Sequence, residues 1–458
     1  MISNFGLHER KITRKMERDL TTGSIFKNII YFSLPYLLSY FLQTLYGMAD
    51  LFIIGQFNGV ASITAVSVGS QVMHMLTVMI VGLAMGSTVT IGKAVGAKHS
   101  GEVSKTVGNT ITLFMGVSVI CTALLLLLVD PIVAVMSTPA KAVSETATYL
   151  TICFIGIPFI TAYNIISSIF RGMGDSKTPM YFIAIACAAN IILDYLFIGA
   201  FHMGAAGAAL GTTIAQTISV VISLAVIIKK QTGISLAKKD LKPNAGTMGQ
   251  ILKIGIPVAL QDGFIQIAFI VITIIANRRG LNDAAAVGIV EKIIGVVFLV
   301  PSTMLSTVSA LSAQNIGAKK QERAAATLRY AICIAVGFGI IVSVIIQFTG
   351  SNIVGMFSDN GAVIRLGDQY LRSYIWDTIL AGIHFCFSGY FCAYGLSGIS
   401  FLHNVLSIVC MRVPGAFLAS RYFPDTLYPM GWAAPAGSML SIIICLIAFM
   451  ILKKKQKI

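Results

Sequence analysis

The stretch that decides the fold is residues 34–57, which read LPYLLSYFLQTLYGMADLFIIGQF. This stretch is apolar over the length of a membrane-spanning helix, which needs about 20 residues, and it contains a single charge, Asp50. A carboxylate in the hydrocarbon of a bilayer costs about 3 kcal/mol on insertion scales, so it is rare and by default functional. We therefore expect Asp50 to belong to a functional site inside the membrane.

A second stretch of the same character lies further along the chain. Residues 190–197 read NIILDYLF and place Asp194 in another apolar segment. No Lys or Arg of this half of the chain falls in the predicted membrane interior. Because neither carboxylate has a basic partner, each is expected to be protonated or to hold a cation.

Composition assigns the chain to the membrane class. It has 458 residues, of which 56% are hydrophobic and only 11% charged, too few charged residues to cover a soluble protein of this size. Apolar segments recur along its whole length, and we predict twelve transmembrane helices at residues 27–57, 61–92, a segment ending near residue 130, 143–170, 178–200, 204–228, 250–278, 284–316, 322–349, 364–394, 399–421 and 428–452.

The net charge of +15 is explained by membrane topology and not by nucleic-acid binding. Most of the 33 Lys and Arg residues fall in the N-terminal tail, in alternate loops and at the basic C-terminus, as the positive-inside rule requires. All eight cysteines fall in predicted spans, and no CxxC pair is present. The N-terminal segment has no small-residue cleavage site, so it does not resemble a signal peptide. We expect an inner-membrane protein with both termini in the cytoplasm.

An internal repeat divides the chain into halves. Three landmarks recur at an offset of 221 or 222 residues, namely Pro35 and Pro257, GAK at residues 96–98 and 317–319, and Gly174 and Gly395. Six spans per half make the repeats parallel, and transporters commonly bind their substrates between such halves. We predict two six-helix lobes with a central cleft, arranged as an N-terminal tail (1–25), an N-lobe (26–229), a cytoplasmic linker (230–249), a C-lobe (250–452) and a basic tail (453–458).

Three spans of the N-lobe bring polar side chains to one depth. At about 1.5 Å per helical residue, Asp50, Asp194 and Thr212 lie about 10–12 Å from the outer ends of their helices. Asn190 is four residues before Asp194 and shares its face. Oxygen ligands of this kind suit a small cation, and paired carboxylates also trap a proton. The pattern leaves Na⁺ and H⁺ open as the coupling ion, while Pro35 is expected to bend its helix.

The polar residues of the C-lobe form a less coherent set. Asn190 and Asp194 correspond to Met411 and Gly415 at the repeat offset, so the carboxylate site has no twin. Paired structural charges and a second coupling site both remain open for Asp262, Glu291, Lys292, Asp377, His384 and Arg412. As secondary residues lining the cleft we consider Gln43, Tyr46, Gln266, Asp377 and His384.

These residues resemble the multidrug and toxic compound extrusion (MATE) transporters over roughly residues 25–450. The motifs are P35…QTLYGMAD50, GAK in both halves, RGMGDSKTP, N190IILD194 and GAAGAALGTTIAQ. The resemblance implies that Asp50, Asn190, Asp194 and Thr212 form the cation site, with Na⁺ as a metal ligand if coupling uses sodium, and that Pro35 is the bending proline. Two positions depart from it: Tyr195 stands where proline is frequent, and Ile265–Gln266 replaces the seventh-span Glu of one subgroup.

The resemblance implies a secondary-active antiporter that exports cationic, amphipathic drugs or toxins in exchange for Na⁺ or H⁺. We expect a monomer among membrane lipids, without enzyme activity, cofactor or nucleic-acid partner. The alternative is a related flippase or exporter of a lipid-linked or anionic metabolite. That alternative requires a strongly cationic cleft, whereas Lys292 and Arg412 are the only bases expected in the membrane interior, away from the ends of the predicted spans.

Overall fold

A computed structural model describes residues 19–230 and 236–455 of the protein, apart from the side chains of residues 229 and 230. Most of the predicted N-terminal tail, part of the linker and the last three residues of the basic tail lie outside the described residues. Within them the chain forms helices and no strand, which confirms the all-α prediction.

The helices of the first half follow the predicted spans closely. Here we number the spans α1 to α6, and a span interrupted by a break keeps one label. They are α1 (Ile25–Phe57), α2 (Val60–Gly96), α3 (Ser100–Leu127), α4 (Val143–Ile155 and Ile157–Gly172), α5 (Lys177–Asp194, continued by the π-helical turn Tyr195–Ala200) and α6 (Gly204–Lys230).

The second half repeats this order. Its spans are α7 (Ala245–Asn277), α8 (Leu281–Val297 and Leu299–Gly317), α9 (Gln321–Gly355), α10 (Gly361–Tyr374 and Asp377–Tyr394), α11 (Ser397–Ser407, the π-helical turn Ile408–Arg412 and Val413–Tyr422) and α12 (Tyr428–Gly431 and Ala433–Lys454).

Length and composition allow most of these helices to cross a membrane. In the described part of the chain ten helices are long and apolar enough, and α4, bent by 48° at Gly156, is an eleventh. The twelfth predicted span is α10, whose first segment carries Arg365, Asp368 and Arg372. These charges explain why α10 is less apolar than the other spans.

The backbone confirms the internal repeat. Lys98 and Lys319 both have φ of 60°, although a side chain in the left-handed region is uncommon. Gly174 and Gly395 also have positive φ, at 91° and 79°. Each pair is separated by 221 residues, so the same two turns end α2 and α4 in one half and α8 and α10 in the other.

Contacts divide the chain into two units, and the first helix of each half contributes to both. Leu34–Leu252 is the main segment of the first unit, while Thr21–Ser33 and Lys253–Ile458 form the second. The division in α1 falls one residue before Pro35, and the division in α7 falls four residues before Pro257. Ser39 Oγ also donates a hydrogen bond of 2.9 Å to the Pro35 carbonyl. A proline and a serine back-bond are both associated with helix bending.

The core of the first unit fixes α1 near its outer end. Ile53 and Ile54 are at most 1% exposed and belong to one cluster with Leu150, Phe154 and Ile198. These residues come from α1, α4 and the π-helical turn after α5. Because protein interiors are closely packed, Asp50, one turn before this pair on α1, is held in a fixed position.

Part of the predicted linker is attached to the first unit. Asn109 on α3 accepts a hydrogen bond of 2.7 Å from the Asn244 backbone and donates one of 3.3 Å to the Asp240 carbonyl. Thr112 Oγ1 donates to the Leu241 carbonyl at 2.8 Å. Residues 240–244 therefore follow the surface of α3 before α7 begins.

A buried arginine joins two loops of the second unit. The Arg279 side chain is 7% exposed and pairs with Asp283 at 2.7 Å. Its guanidinium also donates to the carbonyls of Ser420, Phe423, Pro424 and Thr426. The connection between α7 and α8 is thereby fixed to the connection between α11 and α12.

Candidate functional site

The two N-lobe carboxylates are buried in the first unit. Asp50 is 3% exposed on α1, and Asp194 is 0% exposed at the last residue before the π-helical turn of α5. Asn190, one turn before Asp194, is 1% exposed. The depth estimated from the sequence therefore corresponds to a set of side chains withdrawn from the surface.

Helix α6 closes the site from a third side. Thr212 Oγ1 donates a hydrogen bond of 3.2 Å to Asp50 Oδ2. Gly211 faces Asp194, because a Cβ added there would overlap Asp194 Oδ1. Asp50 and Asp194 are also in electrostatic contact with each other. Three helices thus bring together the four residues Asp50, Asn190, Asp194 and Thr212, as their spacing predicted.

Most polar atoms of this set have no partner within the described residues. Asp50 Oδ1, both carboxylate oxygens of Asp194 and both side-chain atoms of Asn190 are shielded from solvent and make no hydrogen bond of good geometry, although Asp50 lies within interaction range of both Asn190 and Asp194. Neither acid takes part in a salt bridge in the described part of the chain. An unpartnered buried carboxylate is costly, so the arrangement favours a proton or a cation at this place.

The donor set fits a hard monovalent cation. It offers carboxylate, amide and hydroxyl oxygens, which suit Na⁺ and other hard ions. No group of three or more His, Cys, Asp or Glu residues suited to a metal occurs among the residues that the structure describes. The geometry is therefore that of a two-carboxylate site, whose oxygens could hold one proton shared between the acids or a small cation.

Further polar residues continue the site toward the inner side. Tyr46 is one turn before Asp50 and lies next to Gln43 and Gln216. Gln216 is 3% exposed, and its Oε1 has no hydrogen-bond partner in the described structure. The sequence reasoning missed Gln216, although its position four residues after Thr212 places it on the same face of α6.

The π-helical turn of α5 begins at the position where this chain departs from the MATE pattern. Tyr195 replaces the frequent proline, and residues Tyr195–Ala200 form a π-helix directly after Asp194. Such turns often mark functional positions in helices. The irregular backbone after Asp194 is thus present without a proline.

In the second unit, Asp377 is not a free carboxylate. Arg412 Nη2 donates to Asp377 Oδ2 at 2.6 Å, and both residues are buried. Glu291 accepts a hydrogen bond of 3.1 Å from Thr273 and lies within electrostatic range of Arg412. The ion pair between Asp377 and Arg412 is the arrangement expected of structural charges.

The other candidates of the second unit differ in their surroundings. His384 Nε2 is 3.2 Å from Ser438 Oγ, and the His384 ring is 5.6 Å from the His403 ring. Ser438 also contacts Asp377, and His384 lies within electrostatic range of Arg412, so His384 borders the ion pair. Gln266 is half-buried on α7. Asp262 and Lys292 take part in no salt bridge of the described chain.

Comparison with known families identifies the chain. The MatE family model matches it twice, at residues 35–196 and 257–418, which is the offset of the internal repeat. The chain belongs to the MatE family. Members of this family are membrane transporters, and with its many apolar helices this MatE chain is a multi-pass membrane protein.

Several curated proteins are similar to this MatE chain over most of their length. A probable multidrug resistance protein of Bacillus subtilis, YpnP, is 28% identical over 88% of this chain and 90% of its own. The B. subtilis protein YoeA, also a probable multidrug resistance protein, is 25% identical over 95% and 96%. The multidrug export protein MepA of Staphylococcus aureus is 26% identical over 87% and 88%.

Solved structures agree on the fold. The crystal structure of MATE in the straight conformation superposes with a TM-score of 0.90 and 22% identity, covering 97% of this chain and 99% of that one. The bent conformation gives a TM-score of 0.86 at 21% identity, with 97% of each chain covered. The two-lobed twelve-helix architecture predicted from the sequence is therefore confirmed.

Proposed function

We propose that the protein is a secondary-active multidrug efflux antiporter. It exports cationic, amphipathic compounds in exchange for Na⁺ or H⁺ by alternating access of its two lobes. The observation that carries this proposal is the site of Asp50, Asn190, Asp194 and Thr212. Side chains from three helices meet there, and buried oxygens of Asp50, Asn190 and Asp194 lack hydrogen-bond partners. The names of the curated relatives, which are multidrug resistance or export proteins, support drugs as the substrates.

The N-lobe site couples ion binding to drug release. A cation on the Asp50–Asp194 pair removes the cost of two buried negative charges, whereas the same pair without it attracts a cationic drug. Each ligand therefore favours a different state of the lobe, and only such a difference in affinity shifts a conformational equilibrium. Exchange of one ligand for the other follows from competition for the same negative charge.

The first helix of each half is the proposed hinge. In α1 the division between the two units lies beside Pro35, and the missing hydrogen bond of a proline makes bending easier there. Asp50 is fifteen residues further along the same helix. Because Asp50 is packed within the first unit together with α5 and α6, a change in the bend at Pro35 redirects residues 25–33 relative to the segment of α1 that carries Asp50. This change links ion binding to access.

The membrane placement is part of the proposal. We place the protein in the plasma membrane with both termini in the cytoplasm, because basic residues concentrate at both ends and in alternate loops. Reporter fusions at Lys455 and at a loop between α7 and α8 test this topology. Activity of a periplasmic reporter at the C-terminus would contradict it. We also propose a monomer, which light scattering of the detergent-solubilised protein tests.

Ethidium efflux tests the transport function. In proteoliposomes loaded with ethidium, a Na⁺ gradient and a pH gradient are imposed separately. We expect efflux with one of them and its loss in both Asp50→Asn and Asp194→Asn, because each variant removes one charge from the carboxylate pair. Asp130→Asn, which removes an exposed charge at the outer end of the same lobe, is the control and should retain efflux.

Two results would contradict the proposal. One is full gradient-driven efflux by the Asp50→Asn/Asp194→Asn double variant at normal protein levels. The other is a strong preference of the wild type for anionic compounds, which is the expectation for the flippase alternative. The pairing of Arg412 with Asp377 argues against that alternative, since it leaves this base neutralised.

A further inference from the structure

Three polar side chains converge at the outer end of the first unit. Asn58 follows α1, Ser62 lies in the first turn of α2, and Glu145 lies in the first turn of α4. The position of a Cβ added to Gly204, at the start of α6, is 3.5 Å from Asn58 Nδ2, 3.6 Å from Ser62 Oγ and 3.7 Å from Glu145 Oε2. All three side chains therefore border one small space, here called the outer cluster.

Two oxygens of the outer cluster lack hydrogen-bond partners. Asn58 Oδ1 and Glu145 Oε2 are shielded from solvent and make no hydrogen bond within the described residues. Ser62 is only 8% exposed. Glu145 lies in the first turn of α4, where the helix dipole favours a carboxylate, and no side chain caps this helix by a hydrogen bond. Because an unpaired buried polar atom is costly, these two oxygens favour a ligand.

One face of α6 connects the outer cluster with the carboxylate pair. Gly204 and Gly211 are seven residues apart, which is close to two helical turns and about 10 Å along the axis. Gly204 borders the outer cluster, and Gly211 borders Asp194 Oδ1. A similar separation occurs along α1, because Asn58 of the outer cluster follows Asp50 of the carboxylate pair by eight residues. The outer cluster thus lies between Asp194 and the outer surface.

We propose that Asn58, Ser62 and Glu145 form an outer cation site that takes a monovalent metal ion such as Na⁺, partly hydrated, on its way to Asp50 and Asp194. Glu145 Oε2 and Ser62 Oγ border the space directly, and a half-turn of the Asn58 side-chain amide brings its unpartnered Oδ1 to the position of Nδ2. One carboxylate with neutral amide and hydroxyl oxygens matches a hard ion of single charge. Its low charge keeps binding weak enough for the ion to move on, as conduction through successive sites requires. The binding claim stands by itself, whereas the role in delivery rests on the proposed antiport function.

Binding is measured first, without any transport. In the Asp50→Asn/Asp194→Asn protein the inner carboxylates are absent, and radiolabelled Na⁺ is titrated by scintillation proximity. We expect one saturable Na⁺ site, and its loss when Glu145→Gln is added. Asp130→Asn in the same background is the control for surface charge and should keep the site. No saturable binding in the double variant, or binding that survives Glu145→Gln, would overturn the proposal.

Delivery is measured by ethidium efflux against external Na⁺. Removal of one charge about 4 Å from an ion in a hydrated setting weakens binding about fivefold. We therefore expect Glu145→Gln to raise the half-saturating Na⁺ concentration about fivefold while the maximal rate is retained. An equal shift in Asp130→Asn would overturn the delivery role. Wild-type efflux that ignores Na⁺ would contradict sodium coupling in the proposed function, while the binding titration would still decide the outer site.

Discussion

Replacing Gly211 by alanine tests the carboxylate site without changing any charge. A Cβ at residue 211 would lie under 3.0 Å from Asp194 Oδ1, a distance that real Cβ atoms essentially never show. The Asp194 side chain must therefore withdraw until the contact reaches the ordinary range, which begins at 3.4 Å. The substitution moves one oxygen of the site and leaves its chemistry intact.

The size of the effect follows from two opposing terms. Alanine is better than glycine in a helix by about 0.8–1 kcal/mol, so the protein should fold and insert. A misplacement of about 1 Å at a reacting or binding centre can cost about 100-fold in rate. The Asp194 side chain must move by a distance comparable to this misplacement. We therefore expect gradient-driven ethidium efflux to fall at least about tenfold.

The assay is ethidium efflux from proteoliposomes at equal protein content, with the thermal midpoint measured in detergent. Gly47→Ala is the matched control, because Gly47 lies one turn before Asp50 on α1 and a Cβ there meets nothing within 4 Å. We expect this control to transport like the wild type. Normal efflux by Gly211→Ala with an unchanged dependence on the coupling ion would refute the idea that the position of Asp194 matters.

Three further predictions concern single contacts. Thr212→Val removes the donor to Asp50 and should weaken the coupling ion about tenfold, the value of a hydrogen bond to a charged group; Thr213→Val is the control in efflux titrations. Arg412→Met leaves Asp377 buried without its partner and should lower the free energy of unfolding by about 3–5 kcal/mol. The thermal midpoint should fall accordingly, and substitution of both residues should restore it in part. Arg279→Met removes the hydrogen bonds between two loops and should lower the thermal midpoint, with normal efflux by the remaining folded protein; an unchanged midpoint would contradict a stabilising role.

Much of the fold could be predicted because membrane helices obey strong local rules. Spans of about 20 apolar residues located the helices, and the recurrence of GAK located the repeat. The bilayer also made depth countable along each helix, so Asp50, Asp194 and Thr212 could be brought to one level. The hydrogen bond between Thr212 and Asp50 is the kind of contact such counting anticipates.

Other features could not be predicted because they depend on which helix faces meet. The pairing of Arg412 with Asp377 was one of two open readings, since spacing within a sequence does not say which buried charges touch. Asn58 and Glu145 carry no recognisable spacing and converge only through the ends of four helices. Arg279 fixes one loop to another through carbonyl groups that lie more than 140 residues away, and no sequence pattern indicates such partners.

The comparison of the two halves explains why coupling is proposed for only one of them. Both halves have the same turns at Lys98 and Lys319, so they share a scaffold and differ in the charges placed on it. In the second half the buried carboxylate of Asp377 forms an ion pair with the guanidinium of Arg412. The charge of Asp377 is therefore neutralised whatever the ion gradient. In the first half no such base contacts Asp50 or Asp194 in the described salt bridges. A carboxylate pair that has no basic partner, such as Asp50 and Asp194, can bind an ion that enters from outside.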